Sequence, residues 1–427
     1  MFKKILFSIF ILLFPVLVFA SGSNGVKLIG IPLEFILFGL TLVGVALFHH
    51  RTLLVAATGL ASILIYKMGF QHFDLGEHLS HEWEILLNLL GLLLGFAILA
   101  RLFEDSHIPK VLPKVLPDDW KGPFILILIV FFLSSFLDNI AGALIGGSIA
   151  HVVFRGKVHL GYLVAIVAAS NAGGSGSVLG DTTTTMMWID GVNPLDVIHA
   201  YVAALPAVIF FGIFASIQQH RYHPILKGKY HTPKVDYPKL MVCLMILIGA
   251  IIANFTLDFP AAGVWAAIVI GALFTTVEWE ELQKAVPGSL FLLSLVLCAS
   301  MMPVDQLPAA SWQTAFSLGF ISSVFDNIPL TKLALDQMGY DWGVLAYIVG
   351  FGGSMIWFGS SAGVAISNMY PDAKSVTAWV KNGWHVIAAY VIGFTVLITI
   401  IGWHPHPPHK GAGSPAQTEQ NASQPGE

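Results

Sequence analysis

Ser134-Ser135-Phe136-Leu137-Asp138-Asn139-Ile140 returns, nearly unchanged, as Ser322-Ser323-Val324-Phe325-Asp326-Asn327-Ile328. Each copy carries a carboxylate and an amide inside a strongly apolar stretch, one copy in each half of the chain. A charge at the centre of a bilayer costs about 2.5–3.5 kcal/mol or more, so matching acidic breaks in both halves point to paired substrate or ion sites.

The rest of the chain fits that reading. Of its 427 residues 56% are hydrophobic and 11% charged, whereas a soluble domain carries about 25% charged residues. Most elements would still show apolar surface in a water-soluble globule, so the sequence specifies an all-α polytopic membrane protein. Its apolar stretches are too long for barrel strands. Net charge is -4, and no basic cluster is large enough to suggest nucleic acid. Cys243 and Cys298 both fall inside apolar segments and read as packing residues rather than a disulfide.

Residues 1–20 pair Lys3 and Lys4 with an apolar run ending Val18-Phe19-Ala20, the layout of a signal peptide or of a first span. Either choice puts residues 21–31 outside. A first transmembrane repeat is expected over 32–217, a cytoplasmic linker over 218–239, and a second repeat over 240–402. The tail, 403–427, is rich in Pro, His, Gly and Gln and reads as disordered.

Within the first repeat, apolar segments lie near 32–49, 52–67 and 84–102, with a polar, acidic loop expected from Gln71 to Glu84. The apolar stretch 122–154 is interrupted at Asp138-Asn139, and 159–190 by a glycine-rich run at 173–180; a cleaner span follows at 199–217. After the linker come spans near 240–255, 261–276 and 286–302. Two interrupted stretches follow, 311–338 around Asp326-Asn327 and 341–370 around Gly359, then a last span at 384–402.

The positive-inside rule orients this series. With Arg221 to Lys239 in the cytoplasm, Lys121, Arg155 and Lys157 bracket 122–154 on the same face, as a re-entrant hairpin requires. Arg101, Lys110, Lys114, Glu278 to Lys284, Lys374 and Lys381 also fall inside, Gln71 to Glu84 falls outside, and the C-terminus is left outside. Lys332 is the single exception. Two hairpins entering from opposite faces mark an inverted-topology repeat. A second echo supports it: Gly173-Gly174-Ser175 with Gly180 five residues after the serine matches Gly352-Gly353-Ser354 with Gly359. Each half would hold one re-entrant helical hairpin and one discontinuous transmembrane helix.

Irregular backbone at membrane depth is tolerated only where protein or a water-filled cavity satisfies its polar groups. Four such breaks would converge near the midplane. Asp138, Asp181 and Asp326 bring negative charge there; Asn139, Asn171, Asn327, Ser135, Ser175, Ser323, Ser354, Ser360, Thr182, Thr183 and Thr184 bring neutral oxygen. The nearest basic residue is Lys332, six positions after Asp326. A small hard cation such as Na⁺ suits this set; an anion would want donors. Desolvation favours the protonated carboxyl and a bound cation the ionised one, so competition for the same side chains would give cation/proton exchange. The reading is a transporter, not an enzyme, with no cofactor; Na⁺ and H⁺ are cargo. Each aspartate could instead simply cap a helix, and Asp181 can do both.

Ser134 to Asn139, Asn171-Ala172-Gly173-Gly174 with Gly180-Asp181-Thr182-Thr183-Thr184, Ser322 to Asn327, and Gly352-Gly353-Ser354 with Gly359-Ser360 resemble the NhaD-type sodium/proton antiporters. These belong to a wider ion-transporter superfamily that includes citrate carriers. The resemblance runs from about residue 32 to 402. It implies electrogenic Na⁺ export, often also of Li⁺, driven by proton entry across a bacterial inner membrane. It implies that Asp138, Asn139, Asn171, Asp181, Thr183, Thr184, Ser323 and Asn327 matter in transport. It implies scaffold and transport domains, a homodimer in membrane lipid, and an elevator-like shift. Ser175-Gly176-Ser177 and the histidine-rich tail depart from the family pattern. The rival reading is a sodium-coupled carrier of a dicarboxylate or other anion, which Asp138 and Asp326 disfavour by repulsion.

Overall fold

The computed structural model describes residues 27–28, 30–48, 51–71, 73–111, 116–225 and 234–406. Residues 1–20, read above as a signal peptide or a first span, the middle of the expected linker (226–233) and nearly all of the tail lie outside the described residues. A minimal antiparallel hairpin pairs Lys27–Leu28 with Ile31–Pro32, and everything else of regular structure is helical among the described residues.

The helices are α1 (Leu33–Leu47), α2 (Thr52–Phe70), α3 (Leu75–Asp105), α4 (Lys121–Ser134), α5 (Asn139–Val153), α6 (Leu160–Ser175), α7 (Thr182–Ile189) and α8 (Ala200–Tyr222). In the second half they are α9 (Tyr237–Leu257), α10 (Pro260–Gly271), α11 (Glu280–Ser300), α12 (Trp312–Ser322), α13 (Asn327–Gln337), α14 (Trp342–Gly352), α15 (Ser361–Met369) and α16 (Trp384–Ile400). Five described helices are long and apolar enough to cross a membrane, or six if Val376–Asn382 and α16, bent by 62°, count as one.

The expected breaks are present. Helix is interrupted between α4 and α5 at Asp138, between α6 and α7 at 176–181, between α12 and α13 at Asp326, and between α14 and α15 at 353–360. The reason is local. Asp181 and Ser360 have extended backbones, Asp138 and Asp326 are likewise non-helical, and each of the four side chains accepts a hydrogen bond from an N–H in the first turn that follows. Such caps satisfy donors that a helix start leaves orphaned.

One sequence expectation fails. Gln71–Glu84 is not a loop: Asp74 caps through the amides of Gly76 and Glu77, and α3 runs 31 residues from Leu75. Two side chains of its first turns meet distant partners, His78 Nε2 standing 2.9 Å from Ser300 Oγ and Glu82 pairing with Lys332, while Glu77, Ser80 and His81 stay exposed. The Glu278 to Lys284 segment, which precedes the expected 286–302 span, is likewise helical from Glu280.

Two packing groups result. Helices α1, α2, α3, α9, α10 and α11 pack on one another; α4 to α8 with α12 to α16 form the second group. The groups meet mainly where α11 lies on α13 and where α3 lies on α7.

Contacts join helix ends from distant parts of the chain. Lys239 pairs with Asp105 at 3.2 Å, Gln219 donates to the Lys157 carbonyl at 3.1 Å, and Gly161 abuts Gln218 and Asn382. Lys67 donates to the Met301 carbonyl at 2.7 Å and Lys332 meets Glu82.

Candidate functional site

Asp181 is 1% exposed and stands at the start of α7. Its carboxylate accepts three hydrogen bonds, each 2.9 Å: from the Thr183 amide, the Thr183 hydroxyl and Asn139 Nδ2. A buried carboxylate needs such donors, since leaving one unpaired in a dry interior is costly.

The network runs on from there into the second half of the chain. Asn139 Nδ2 also donates to Asn171 Oδ1 at 3.1 Å, and Asn171 Nδ2 donates to Ser354 at 2.9 Å and Ser360 at 3.1 Å. Ser360 in turn accepts from the Gly363 amide and caps α15. Asp181, Asn139, Asn171, Ser354 and Ser360 are thus one chain of hydrogen bonds linking the two sets of breaks.

Asp138 and Asp326 are half-buried and face elsewhere. Asp138 caps α5 through the Ile140 amide at 3.2 Å and takes the Thr182 hydroxyl at 3.4 Å; Asp326 caps α13 through the Ile328 amide at 3.1 Å. Both line a cavity of about 980 Å³. Asp138 and Asp181 share only a narrow crevice of about 10 Å³ with Thr182 and Thr185, room for roughly one water. Asp181 lies within electrostatic range of both other aspartates.

No group of three His, Cys, Asp or Glu side chains among the described residues is close enough to hold a metal ion. The three aspartates therefore share a region without converging on one point. None pairs with a Lys or Arg among the described residues.

Most of the remaining candidates hold backbone. Ser135 donates to the Gly173 carbonyl at 3.0 Å, Ser175 to Ala172 at 2.8 Å, Ser323 to Phe320 at 2.6 Å, and Thr184 to Ser177 and Asp181 at 2.6 and 2.9 Å. Asn327 is buried at the start of α13, and its carbonyl takes the Thr331 hydroxyl. The positions matching Asn171 and Asp181 in the second half are Gly350 and Ser360, so Asn327 lacks the amide and carboxylate that Asn139 meets. Gly350 itself packs beside the Asp181 carboxylate.

The glycines explain how the halves pack alike. A Cβ on Gly173 would overlap the Phe131 carbonyl, seven residues before Asp138; one on Gly352 would overlap the Gly319 carbonyl, seven before Asp326. Close backbone approach of this kind excludes any larger residue.

Sequence reading missed several contributors. Ser170 bonds the Asn139 carbonyl and stands 3.2 Å from Ser134, and Tyr201 donates to the Gly173 carbonyl at 3.1 Å. Ser134 sits in the repeated heptad, which was a usable signal; Tyr201 carried none.

Comparison with known proteins places the sequence among carriers. A family model described as CitMHS, citrate transporter, matches residues 5–352. Sodium/proton antiporter 2 of Arabidopsis thaliana is 25% identical over 378 residues, 76% of this chain and 86% of that protein. Sodium/proton antiporter 1 of the same plant is 25% identical over 327 residues, 65% of this chain and only 55% of its own length. The Na(+)/H(+) antiporter NhaD of Alkalimonas amylolytica is 24% identical over 296 residues, 55% of this chain and 60% of that protein.

Proposed function

The chain belongs to the citrate-transporter family of membrane carriers, and from that premise we propose that it exchanges cytoplasmic Na⁺, and by the same chemistry Li⁺, for external H⁺. The observation that carries this choice of cargo is the state of the half-helix starts. An anion would use their free N–H groups, but at three of the four a carboxylate, of Asp138, Asp181 or Asp326, already sits at the helix start and takes a first-turn N–H. What remains outward-facing is carboxylate oxygen without a basic partner, which suits a cation.

Exchange follows from competition. A protonated carboxyl gives up its proton when Na⁺ takes its oxygens, and Na⁺ leaves when a proton returns. Asp138 and Asp326 meet the ion first because they line the cavity, whose lining also includes Arg101, Glu104, Glu281 and Lys284. Those four belong to the end that the charge pattern assigns to the cytoplasm, so this conformation is read as open inward. Asp181, with Thr183, Asn139 and Asn171, forms the inner part of the site. Thr184, Ser323, Asn327, Ser135 and Ser175 support it through backbone.

The shared caps and glycine contacts support an inverted-topology repeat, with α4–α5 and α12–α13 as re-entrant hairpins in a multi-pass bacterial inner-membrane protein whose C-terminus is external. The group of α4 to α8 with α12 to α16 would carry the ion past the other group in an elevator-like shift, within a homodimer. The family description keeps citrate as the second reading. Proteoliposomes with an imposed pH gradient separate the two: accumulation of labelled sodium without labelled citrate is expected, and Na⁺-dependent citrate uptake would overturn the reading.

A further inference from the structure

The cavity is far larger than an alkali ion requires. At about 980 Å³ it matches the upper range of pockets that enclose drug-sized organic molecules, and its lining is mostly apolar. Along α11 the lining extends from Glu281 to Leu292, about 16 Å of helix, and along α3 from Leu93 to Glu104, a similar length. Phe96, Phe291 and Phe358 contribute aromatic surface.

Charge is distributed unevenly over this lining. At the Arg101 end the charges cancel in pairs: Arg101 meets Glu104 at 3.2 Å, and Lys284 meets Glu281 at 2.7 Å. Asp138 and Asp326 have no such partner among the described residues. An occupant complementary to the whole cavity therefore has one cationic nitrogen and an apolar body.

We infer that the cavity binds hydrophobic organic ammonium ions, the nitrogen drawn to the part lined by Asp138 and Asp326 and the apolar body lying against α3 and α11 towards Arg101. This rests on the reading of Asp138 and Asp326 as the cation contacts of the exchanger. Such a molecule competes with Na⁺, because both need the same oxygens. An anion of equal size is excluded by the aspartates, and a neutral one gains only the apolar contact. Aromatic faces near the head add to the discrimination, since a cation over a ring is favoured where water is excluded.

The test uses purified full-length protein in detergent, with 4-phenylbutylammonium and its neutral counterpart 4-phenylbutanol titrated calorimetrically. The amine should bind roughly tenfold or more tighter than the alcohol. Na⁺ should displace it. Asp326→Asn and Asp138→Asn should each weaken it by roughly tenfold, and Ala97→Phe, which fills the middle of the cavity, should weaken both compounds. Folding of each variant is checked by its elution profile and unfolding temperature. Equal binding of amine and alcohol, or amine binding indifferent to both aspartates, would overturn the inference. So would absence of amine binding in a preparation that exchanges Na⁺ for H⁺, which leaves the exchange reading intact. Aspartate-dependent amine binding in a protein that exchanges nothing would sustain this site and remove the exchanger.

Discussion

Asn139 Nδ2 stands 2.9 Å from the carboxylate of Asp181, a residue 42 positions further along the chain, and this bond ties the start of α5 to the start of α7. The same nitrogen reaches Asn171 at 3.1 Å, so one amide serves both the charge and its neighbour. The arrangement gives each residue a separable role.

Asp181→Asn tests charge apart from capping. Asparagine caps a helix about as well as aspartate, so α7 should remain formed, and the unfolding temperature in detergent should stay near that of the wild type. Exchange should fall by roughly two orders of magnitude, equivalent to about 2.7 kcal/mol. Asp181→Ala should lose exchange and also about 1 kcal/mol of stability from the missing cap.

Asn139→Ala removes one of three donors to a buried carboxylate. The expected cost is about 1–3 kcal/mol, read as a lowered unfolding temperature together with weakened Na⁺ dependence of exchange. Asn327→Ala should be milder on exchange, because its counterpart partners are Gly350 and Ser360. Equal losses in both variants would show that the asymmetry between the halves has no functional weight.

Lys332 is 2% exposed and is held by Asp336 at 2.7 Å and Glu82 at 3.1 Å, joining α13 to α3 across the two packing groups. Glu82→Ala should destabilise by about 1–3 kcal/mol, since Lys332 loses one of its two carboxylate partners while Asp336 still neutralises it. Lys332→Met should cost about 3–5 kcal/mol, because it leaves Glu82 and Asp336 together without their cation. The check is a double-mutant cycle on unfolding temperature, in which strict additivity would show the pair to be uncoupled.

Gly173→Ala should prevent normal packing, because its Cβ would overlap the Phe131 carbonyl. Gly39→Ala is the control: nothing lies within 4 Å of the added carbon, and alanine improves a helix by about 1 kcal/mol. Yield and monodispersity in detergent distinguish the two, the first falling and the second holding.

What the sequence disclosed depended on how local the cause was. The breaks at Asp138, Asp326, 176–181 and 353–360 were legible because caps and glycines act over a few residues. The N-terminal turns of α3 were not. Glu82 and His78 look solvent-bound until Lys332 and Ser300, more than 200 residues away, are placed beside them. Lys332 itself seemed an exception to the charge pattern, and its i,i+4 spacing to Asp336 hinted at the resolution. The separation of Asp181 from Asp138 and Asp326 was likewise hidden, since spacing alone brings all three to breaks without saying which faces the cavity.

The most direct measurement is uptake of radioactive sodium into proteoliposomes after a pH jump, wild type beside Asp181→Asn, repeated across pH. Protons and Na⁺ compete for the same oxygens, so lowering the pH on the Na⁺-binding side should raise the Na⁺ concentration needed for half-maximal rate. The account predicts pH-driven Na⁺ accumulation that shows this shift and disappears in the folded variant. Na⁺ movement with no accompanying proton flux, or a variant that exchanges like the wild type, would contradict it.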